Sequence, residues 1–269
     1  MKKLIKSIIY ATAPGLGNYI TAVRNRRHFR TIDQGFQGEM ATKIFNGKPI
    51  EVLSGPFKGL KYINETVWGP ITPKWMGSYE EELHGVVEQI VQANYDTIID
   101  VGSAEGYYVA GLARRMPKAR VYSFDVDSIS RRQQSDIIKL NNLTNVTTGK
   151  YCHHSDLDTL ITNKTVVICD IEGYEYDLLD PAKAKKLAQA DVLVEVHPFG
   201  DKTLTDVEAM LRNRFKATHH IEHIQQTKRQ SKDYHMAQKQ LLTEAEFMRC
   251  VDEYRNFADQ SWFWMKRKR

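Results

Sequence analysis

The clearest candidate for chemistry is a short loop rich in glycine and acidic residues. The sequence DVGSAEG occupies residues 100–106, directly after an apolar run and before a stretch with helical periodicity. Glycines let the chain turn tightly and approach a ligand, and the start of a helix offers unpaired N–H groups. The pattern predicts a ligand-binding turn that comprises Asp100, Gly102, Ser103, Ala104, Glu105, Gly106 and the following Tyr107.

A second acidic position follows the next apolar run. Asp125 stands nineteen residues after Gly106, with Asp127 as the nearby alternative. A carboxylate at this place in a βαβ unit accepts hydrogen bonds from both hydroxyls of a ribose. The loop and Asp125 together indicate a nucleoside pocket. The competing interpretation is that Asp125 only starts a turn.

The spacing of the glycines distinguishes between nucleoside cofactors. The dinucleotide fingerprint is G-x-G-x-x-G, whereas this loop reads G-x-x-x-G with Asp100 two residues ahead. A pyrophosphate beside Asp100 and Glu105 would be repelled, but a sulfonium and an ammonium would not. The Gly-Lys-Ser/Thr ending of a P-loop does not follow these glycines. The expected cofactor is therefore S-adenosylmethionine (SAM), which the loop suits better than NAD.

Apolar, β-branched runs separated by amphipathic stretches would position these residues. The runs cover 97–101, 119–124, 145–151, 165–171 and 191–196. Their nearly continuous apolar character is typical of strands buried on both faces. The pattern predicts an α/β fold with a doubly wound, mainly parallel sheet. The final run SWFWMKRK predicts an antiparallel closing strand.

Turn residues and capping signals organise the rest of the chain. Residues 49–63 predict a hairpin of two short strands, and a helix is expected from about Ser78 to Ala93. Thr243 and Glu246 have the spacing of a capping box, which predicts a helix up to about Phe257 within an insertion near the ligand end of the sheet. The expected divisions are a basic N-terminal arm (1–48), a hairpin and helix lead-in (49–93) and a SAM-binding domain (94–269).

Length and composition suit one domain of ordinary size in a reducing compartment. The 269 residues are 42% hydrophobic, and no uninterrupted apolar run reaches the length of a membrane span. The three cysteines have no C-x-x-C spacing, which argues against a disulfide framework or a zinc knuckle. These features favour a cytoplasmic protein.

The net charge of +5 comes from the two ends of the chain. Residues 1–30 hold seven basic residues and no acidic one, and residues 266–269 read KRKR, so the remainder, with all 33 acidic residues, is net negative. Such tails either favour anionic partners, including phospholipid headgroups and nucleic acid, or only keep the chain soluble. Leu4 and Ile8 lie at i, i+4 in a candidate amphipathic helix. Peripheral contact with the inner face of the membrane through this segment is the corresponding hypothesis.

Taken together, the motifs of residues 50–200 resemble those of the FkbM-type class I SAM-dependent methyltransferases. Residues 100–127, DVGSAEGYYVAGLARRMPKARVYSFDVD, are similar to the cofactor-binding half of that family. Residues 169–175, CDIEGYE, resemble its kiDiEGaE segment, and residues 194–197, VEVH, its vEiH strand end. Asp125-Val126-Asp127 departs from the usual Glu-Pro of the family.

The resemblance implies a Rossmann-like class I methyltransferase fold and an O-methyl transfer. The acceptors of such enzymes are often hydroxyls of sugars, glycans or other small metabolites. By the same resemblance, Tyr79 and Glu80 would cover the cofactor. His153 or His154, after the third strand, would line the adenine pocket.

Methyl transfer to a hydroxyl needs an aligned acceptor and a base that takes its proton. The candidates for these roles lie in two segments, residues 170–175 and 195–197. Asp170, at the end of the fourth strand, should lie under the methionine part of SAM or face the acceptor. Glu172 and Glu175 follow at a helix start, where they serve the site or complement the helix dipole, the latter being favoured for Glu175. His197 is the leading general base because histidine titrates near neutral pH. A hydrogen-bonded structural histidine before Pro198 is the equal alternative.

Metal and nucleic-acid chemistry are the less favoured interpretations. No metal is expected, because the cluster of His219, His220 and His223 has no carboxylate at ligand spacing. The alternative is a divalent metal site formed by Asp170, Glu195 and His197. An RNA methyltransferase would use the basic tails, but the Asn/Asp-Pro-Pro-aromatic motif that amino-methylating nucleic-acid enzymes carry is replaced by DIEG at residues 170–173. A non-catalytic SAM-binding subunit would be expected to have a damaged loop.

Overall fold

The computed structural model describes residues 35–254 and 261–268, which build one seven-stranded sheet flanked by helices. The strands are β1 (Thr97–Val101), β2 (Arg120–Phe124), β3 (Val146–Gly149), β4 (Thr165–Cys169), β5 (Asp191–Glu195), β6 (His219–Gln225) and β7 (Ser261–Arg267). They lie in the order β3-β2-β1-β4-β5-β7-β6. Strands β1 to β5 are parallel, and β7 runs antiparallel between β5 and β6. The predicted Rossmann-like, mainly parallel sheet with an antiparallel closing strand is confirmed.

Helices connect the strands and cover the sheet. Their bounds are α1 (residues 35–45), α2 (Thr72–Met76), α3 (His84–Ala93), α4 (Tyr107–Arg115), α5 (Ser128–Leu140), α6 (His154–Leu160), α7 (Glu175–Leu178), α8 (Leu204–Phe215) and α9 (Glu244–Val251). Short 3₁₀ helices occur at Glu81–Leu83, Lys185–Gln189, Ser231–Asp233 and Ala237–Leu241.

The strand order determines where a ligand can bind. From β1 the chain crosses over to β2 and then β3 on one side, whereas β4 and β5 follow on the other side of β1. In open sheets of this kind, ligands bind beyond the carboxyl ends of the strands at the point where the order reverses. The residues that follow β1, β2, β4 and β5 therefore converge at the ligand edge.

The core has two halves because alternate side chains of each buried strand point to opposite faces. Ile98 of β1 packs in one cluster with Trp75 of α2, Ile90 of α3 and Val109 of α4. Ile99 and Val101 pack on the other face with α6, α7 and α8. All five residues of β1 are buried, as the continuous apolar run predicts. The three cysteines are buried and free.

Three elements outside the parallel sheet differ from their predicted form or extent. The lead-in hairpin is reduced to a single antiparallel bridge between Glu51 and Lys61, because turns fill the space between them. Helix α3 begins at His84 rather than at Ser78. The capping box of Thr243 and Glu246 is present, but α9 ends at Val251 rather than near Phe257.

The predicted amphipathic helix near Leu4, and residues 1–34 of the basic arm, lie outside the described residues. Within the described part, no helix combines the length and apolar character needed to cross a membrane.

Candidate functional site

The loop after β1 lies at the centre of the ligand edge. Gly102 and Gly106 adopt left-handed φ angles of 85° and 94°, which glycine tolerates best. A Cβ atom on Gly102 would lie 1.6 Å from the carbonyl oxygen of Asp170. The loops after β1 and β4 therefore touch at this point, and the N–H groups of Gly102 and Ser103 donate to the carbonyl of Phe124 at the end of β2.

Asp125 lies directly beside this loop. Its carboxylate is almost fully buried and accepts the N–H of Ala104 at 2.8 Å and the N–H of Asp127 at 2.7 Å. Asp127 caps α5 by accepting the N–H of Ile129 at 3.2 Å and the hydroxyl of Ser130 at 3.2 Å. The two aspartates thus differ in role, and Asp125 is the one held against the loop.

A pocket beside the loop collects most of the predicted cofactor residues. Asp100, Gly102, Ser103, Ala104, Glu105, Tyr107, Asp170 and Glu80 all line it, together with Lys74, Tyr79, Tyr108, Glu195 and Trp262. The hydroxyl of Tyr107 is buried and has no hydrogen-bond partner among the described residues. Gly106, Asp125, Asp127 and His153 lie outside the lining of this pocket.

Burial changes the ionisation of the acids at this edge. Burial, with the charges of Asp125 and Glu80, raises the pKa of Asp100 to about 8. Burial also raises the pKa of Asp125 to about 7, although the N–H groups of Asp127 and Ala104 favour the charged form. Both carboxyl groups are thus poised to ionise near neutral pH.

His197 lies within a group of three carboxylates. Its Nδ1 is 3.0 Å from Glu175, and its Nε2 is 3.4 Å from Glu195 and 3.9 Å from Asp170. Burial alone would lower the pKa of His197, but the hydrogen bonds and charges of Glu175 and Glu195 raise it well above 6.5. The acids around His197 therefore shift its pKa upward from the near-neutral value of a free histidine and favour the protonated ring. Its role as general base stays a prediction. Asp170 lies beside it with a pKa raised by burial and by Glu195.

Glu175 has a larger role than the helix-dipole interpretation gave it. Its buried carboxylate accepts the N–H of Ile171 at 2.7 Å and the N–H of Gly173 at 2.8 Å, besides its contact with His197. One side chain therefore fixes both the loop after β4 and the histidine after β5. The Glu-Gly-x-Glu spacing of residues 172–175 could have indicated such a self-bonded loop.

Two predicted site residues lie at exposed positions. Glu172 is exposed and has a left-handed φ of 57° next to Gly173. His153 is exposed before α6, and its ring packs 4.6 Å from the ring of Tyr151. The neighbouring His154 hydrogen-bonds to the carbonyl of Asp177. The catalytic role of Glu172 and the adenine contact of His153 stay predictions.

Lys74 is a site residue that the sequence did not reveal. It lies in the buried helix α2 and forms an ion pair with the loop residue Glu105, whose carboxylate also accepts the hydroxyl of Tyr62 at 2.9 Å. The charge of Glu105 is therefore already balanced by the lead-in. No periodicity or motif marks Lys74, because its partner is 31 residues away.

The insertion before β7 contacts the segment that carries Glu80. Arg229 donates to Glu82 at 2.6 Å and to Glu253 at 2.6 Å. Glu253 in turn accepts the N–H of Glu80 at 3.0 Å, and the carbonyl of Val251 accepts the hydroxyl of Ser78 at 3.1 Å. The insertion thus packs beside the pocket, at the sheet end where the sequence places it.

Among the described residues, two overlapping groups of side chains could hold a metal ion. Asp170, Glu175 and His197 form one group, and Glu80, Asp170 and Glu195 form the other, with ligand atoms within 4.8 Å of one another in each. The predicted combination of Asp170, Glu195 and His197 is divided between the two groups. His219 and His223 are occupied elsewhere, with the carbonyl of Ala190 and with Ser261.

No family model matches this chain, and no curated protein does. Solved structures resemble it at low identity. An rRNA methylase from Streptococcus thermophilus shares 11% identity, covers 70% of this chain and 97% of its own, and has a TM-score of 0.47. A precorrin-6y C5,15-methyltransferase from Geobacter metallireducens shares 11% identity, and the match covers 68% of this chain and 87% of that protein, with a TM-score of 0.44. TYW2 from M. jannaschii in complex with AdoMet shares 14% identity, and the match covers 69% of this chain and 76% of that protein, with a TM-score of 0.39. Similarity at this level assigns neither a family nor a substrate to the chain.

Proposed function

We propose that this protein is a SAM-dependent methyltransferase that methylates a hydroxyl of a sugar, a glycan or another small metabolite. The observation that carries the proposal is the contact between the N–H of Ala104 and the buried carboxylate of Asp125. This contact holds Asp125, the residue we propose as ribose acceptor, against the glycine turn at the carboxyl ends of β1 and β2, where such sheets bind their ligands. The FkbM-like residues of this loop and of the segment 169–175 support the same assignment.

The charges of the pocket favour SAM over a dinucleotide. Glu80, Asp100 and Asp170 line it, and carboxylates stabilise the sulfonium and ammonium of SAM but repel a pyrophosphate. Glu195 lines the same pocket, and the carboxylates of Glu195 and Asp170 lie 3.4 Å and 3.9 Å from Nε2 of His197. In this proposal Asp170, whose pKa is raised by burial, accepts the proton of the acceptor hydroxyl as the methyl group transfers in line.

The binding step is tested by replacing the ribose acceptor. We expect Asp125→Ala to weaken the affinity for S-adenosylhomocysteine (SAH) at least about tenfold, because a charged hydrogen bond is lost. Calorimetry with SAH and with NADH measures the affinities. Asp136→Ala, which removes an exposed acid of the following helix α5, is the matched control and should leave the affinity unchanged. Equal affinities for SAH in Asp125→Ala and the wild type would contradict the ribose assignment, and binding of NADH alone would contradict the function.

The pH dependence of binding gives a second test. We expect the affinity for SAM to rise several-fold from about pH 6 to about pH 9, as Asp125 and Asp100 ionise and become acceptors and counter-charges for the cofactor. In Asp100→Asn the rise in affinity above about pH 8 should disappear, because Asp125, whose pKa is raised to about 7, is then the one of these two acids that still ionises. Calorimetry in buffers of different ionisation enthalpy should also show proton release on binding. An affinity that does not change with pH would contradict this ionisation model.

The acceptor is addressed by incubating glycan and metabolite extracts with labelled SAM and detecting methylated products by mass spectrometry. The acids of the pocket favour a neutral or cationic acceptor over a phosphate-rich one.

RNA is the second candidate, supported by the basic residues within 1–30 and 266–269. The same tails support peripheral contact of a cytoplasmic protein with an anionic membrane. RNA binding that weakens steeply with salt would favour the RNA alternative.

A further inference from the structure

The charges that line the pocket are strongly unequal. Five carboxyl groups line it (Glu80, Asp100, Glu105, Asp170 and Glu195), and Lys74 is the one lysine or arginine among the described lining residues. SAM is not a simple cation, since its methionine end carries a carboxylate beside the ammonium. A buried carboxylate needs a cation or several N–H donors, because burying a charge without them is costly.

Lys74 lines the pocket, where its ammonium can contact the carboxylate of SAM. Its side chain is 3% exposed, and its ammonium lies 4.8 Å from the centre of the Tyr79 ring. The ammonium has three N–H donors, of which the Glu105 ion pair uses one. Glu105 also accepts hydrogen bonds from Tyr62 and Thr66, so that it keeps partners when Lys74 contacts a ligand as well.

Asp125 and Lys74 contact adjacent residues of the loop after β1. Ala104 contacts Asp125, and the next residue, Glu105, contacts Lys74. A SAM molecule whose ribose lies at Asp125 can therefore extend along the loop so that its methionine end reaches Lys74. We infer that Lys74 binds the carboxylate of the methionine part of SAM, an assignment that rests on the proposed function.

The test compares SAH with its decarboxylated analogue, which lacks only the carboxylate. We expect the wild type to prefer SAH by about tenfold, the effect of one charged hydrogen bond. In the double variant Lys74→Met/Glu105→Gln, which removes both charges of the buried pair, the preference should fall below about threefold. The affinity for SAH should fall further than the affinity for the decarboxylated analogue, which has no carboxylate for Lys74 to bind. Calorimetry measures both ligands, and circular dichroism verifies that the variant is folded.

The double variant Arg115→Met/Glu88→Gln is the matched control, because it removes both charges of an ion pair outside the pocket lining and should keep the preference for SAH. A wild type that binds both ligands equally overturns the assignment of Lys74 without affecting the proposed function, even if the double variant does not fold. A tenfold preference that persists in the folded double variant also overturns it. A wild type that binds neither ligand overturns the proposed function together with this inference.

Discussion

Gly102→Ala is expected to destabilise the fold by at least about 3 kcal/mol and to remove SAH binding with it. The φ angle of Gly102 is 85°, which costs energy for any residue with a Cβ atom. The new methyl group would also lie 1.6 Å from the backbone carbonyl oxygen of Asp170, so the loops after β1 and β4 would have to separate. Urea unfolding measures the loss of stability, and calorimetry measures SAH affinity.

Gly47→Ala separates backbone strain from the steric clash. Gly47 has a φ angle of 78°, and a Cβ atom there would meet nothing within 4 Å. Its substitution should therefore cost only the conformational term, about 1 kcal/mol, and leave SAH affinity unchanged. Equal losses of stability in the two variants would show that the contact between Gly102 and Asp170 does not constrain the site.

The central strands could be predicted because local sequence and tertiary environment agree there. The run TIIDV is buried at every position, and so is TVVIC in β4, which explains why their apolar character is nearly continuous. Strand β3 was predicted to be longer, at residues 145–151. It covers only Val146–Gly149, because it is the edge strand and is partly exposed.

The start of α3 could not be predicted because distant residues determine it. Residues 78–83 have helix-forming composition, yet Glu80 adopts a left-handed φ of 45°. Its N–H donates to Glu253, and Glu82 binds Arg229, 147 residues further along the chain. Contacts at such a separation leave no periodicity in the local sequence, and here they override helix propensity.

The candidate site was predictable to a similar extent. The loop and Asp125 carry their signal in spacing, because a turn and a ribose acceptor need fixed residue types. The state of His197 depends on Glu175 and Glu195 together, which only the folded chain places around one ring. The sequence therefore indicated His197 as a candidate site residue but could not indicate its charge.

The role of His197 gives the second large effect. We expect His197→Ala to destabilise the protein by about 3 kcal/mol near pH 6, because buried carboxylates lose their counter-charge. The folded pKa of His197 is raised above its unfolded value, so its stabilising contribution is complete below about pH 6.5 and is lost as the pH rises through the folded pKa. The difference in unfolding free energy between wild type and variant should therefore be smaller near pH 10. Urea unfolding at both pH values measures it.

His223→Ala is the matched control, because His223 also lies beside a glutamate, Glu208 at 3.3 Å, but on β6 away from the pocket. It should leave methyl transfer unchanged, whereas His197→Ala should lower kcat about a hundredfold and leave SAH affinity within about twofold of the wild type. The pH profile of the wild type then distinguishes two roles. If the imidazolium orients Glu175 and Asp170, kcat falls as His197 loses its proton. If neutral His197 is the base, kcat rises over the same range, and the assignment of proton transfer to Asp170 is wrong.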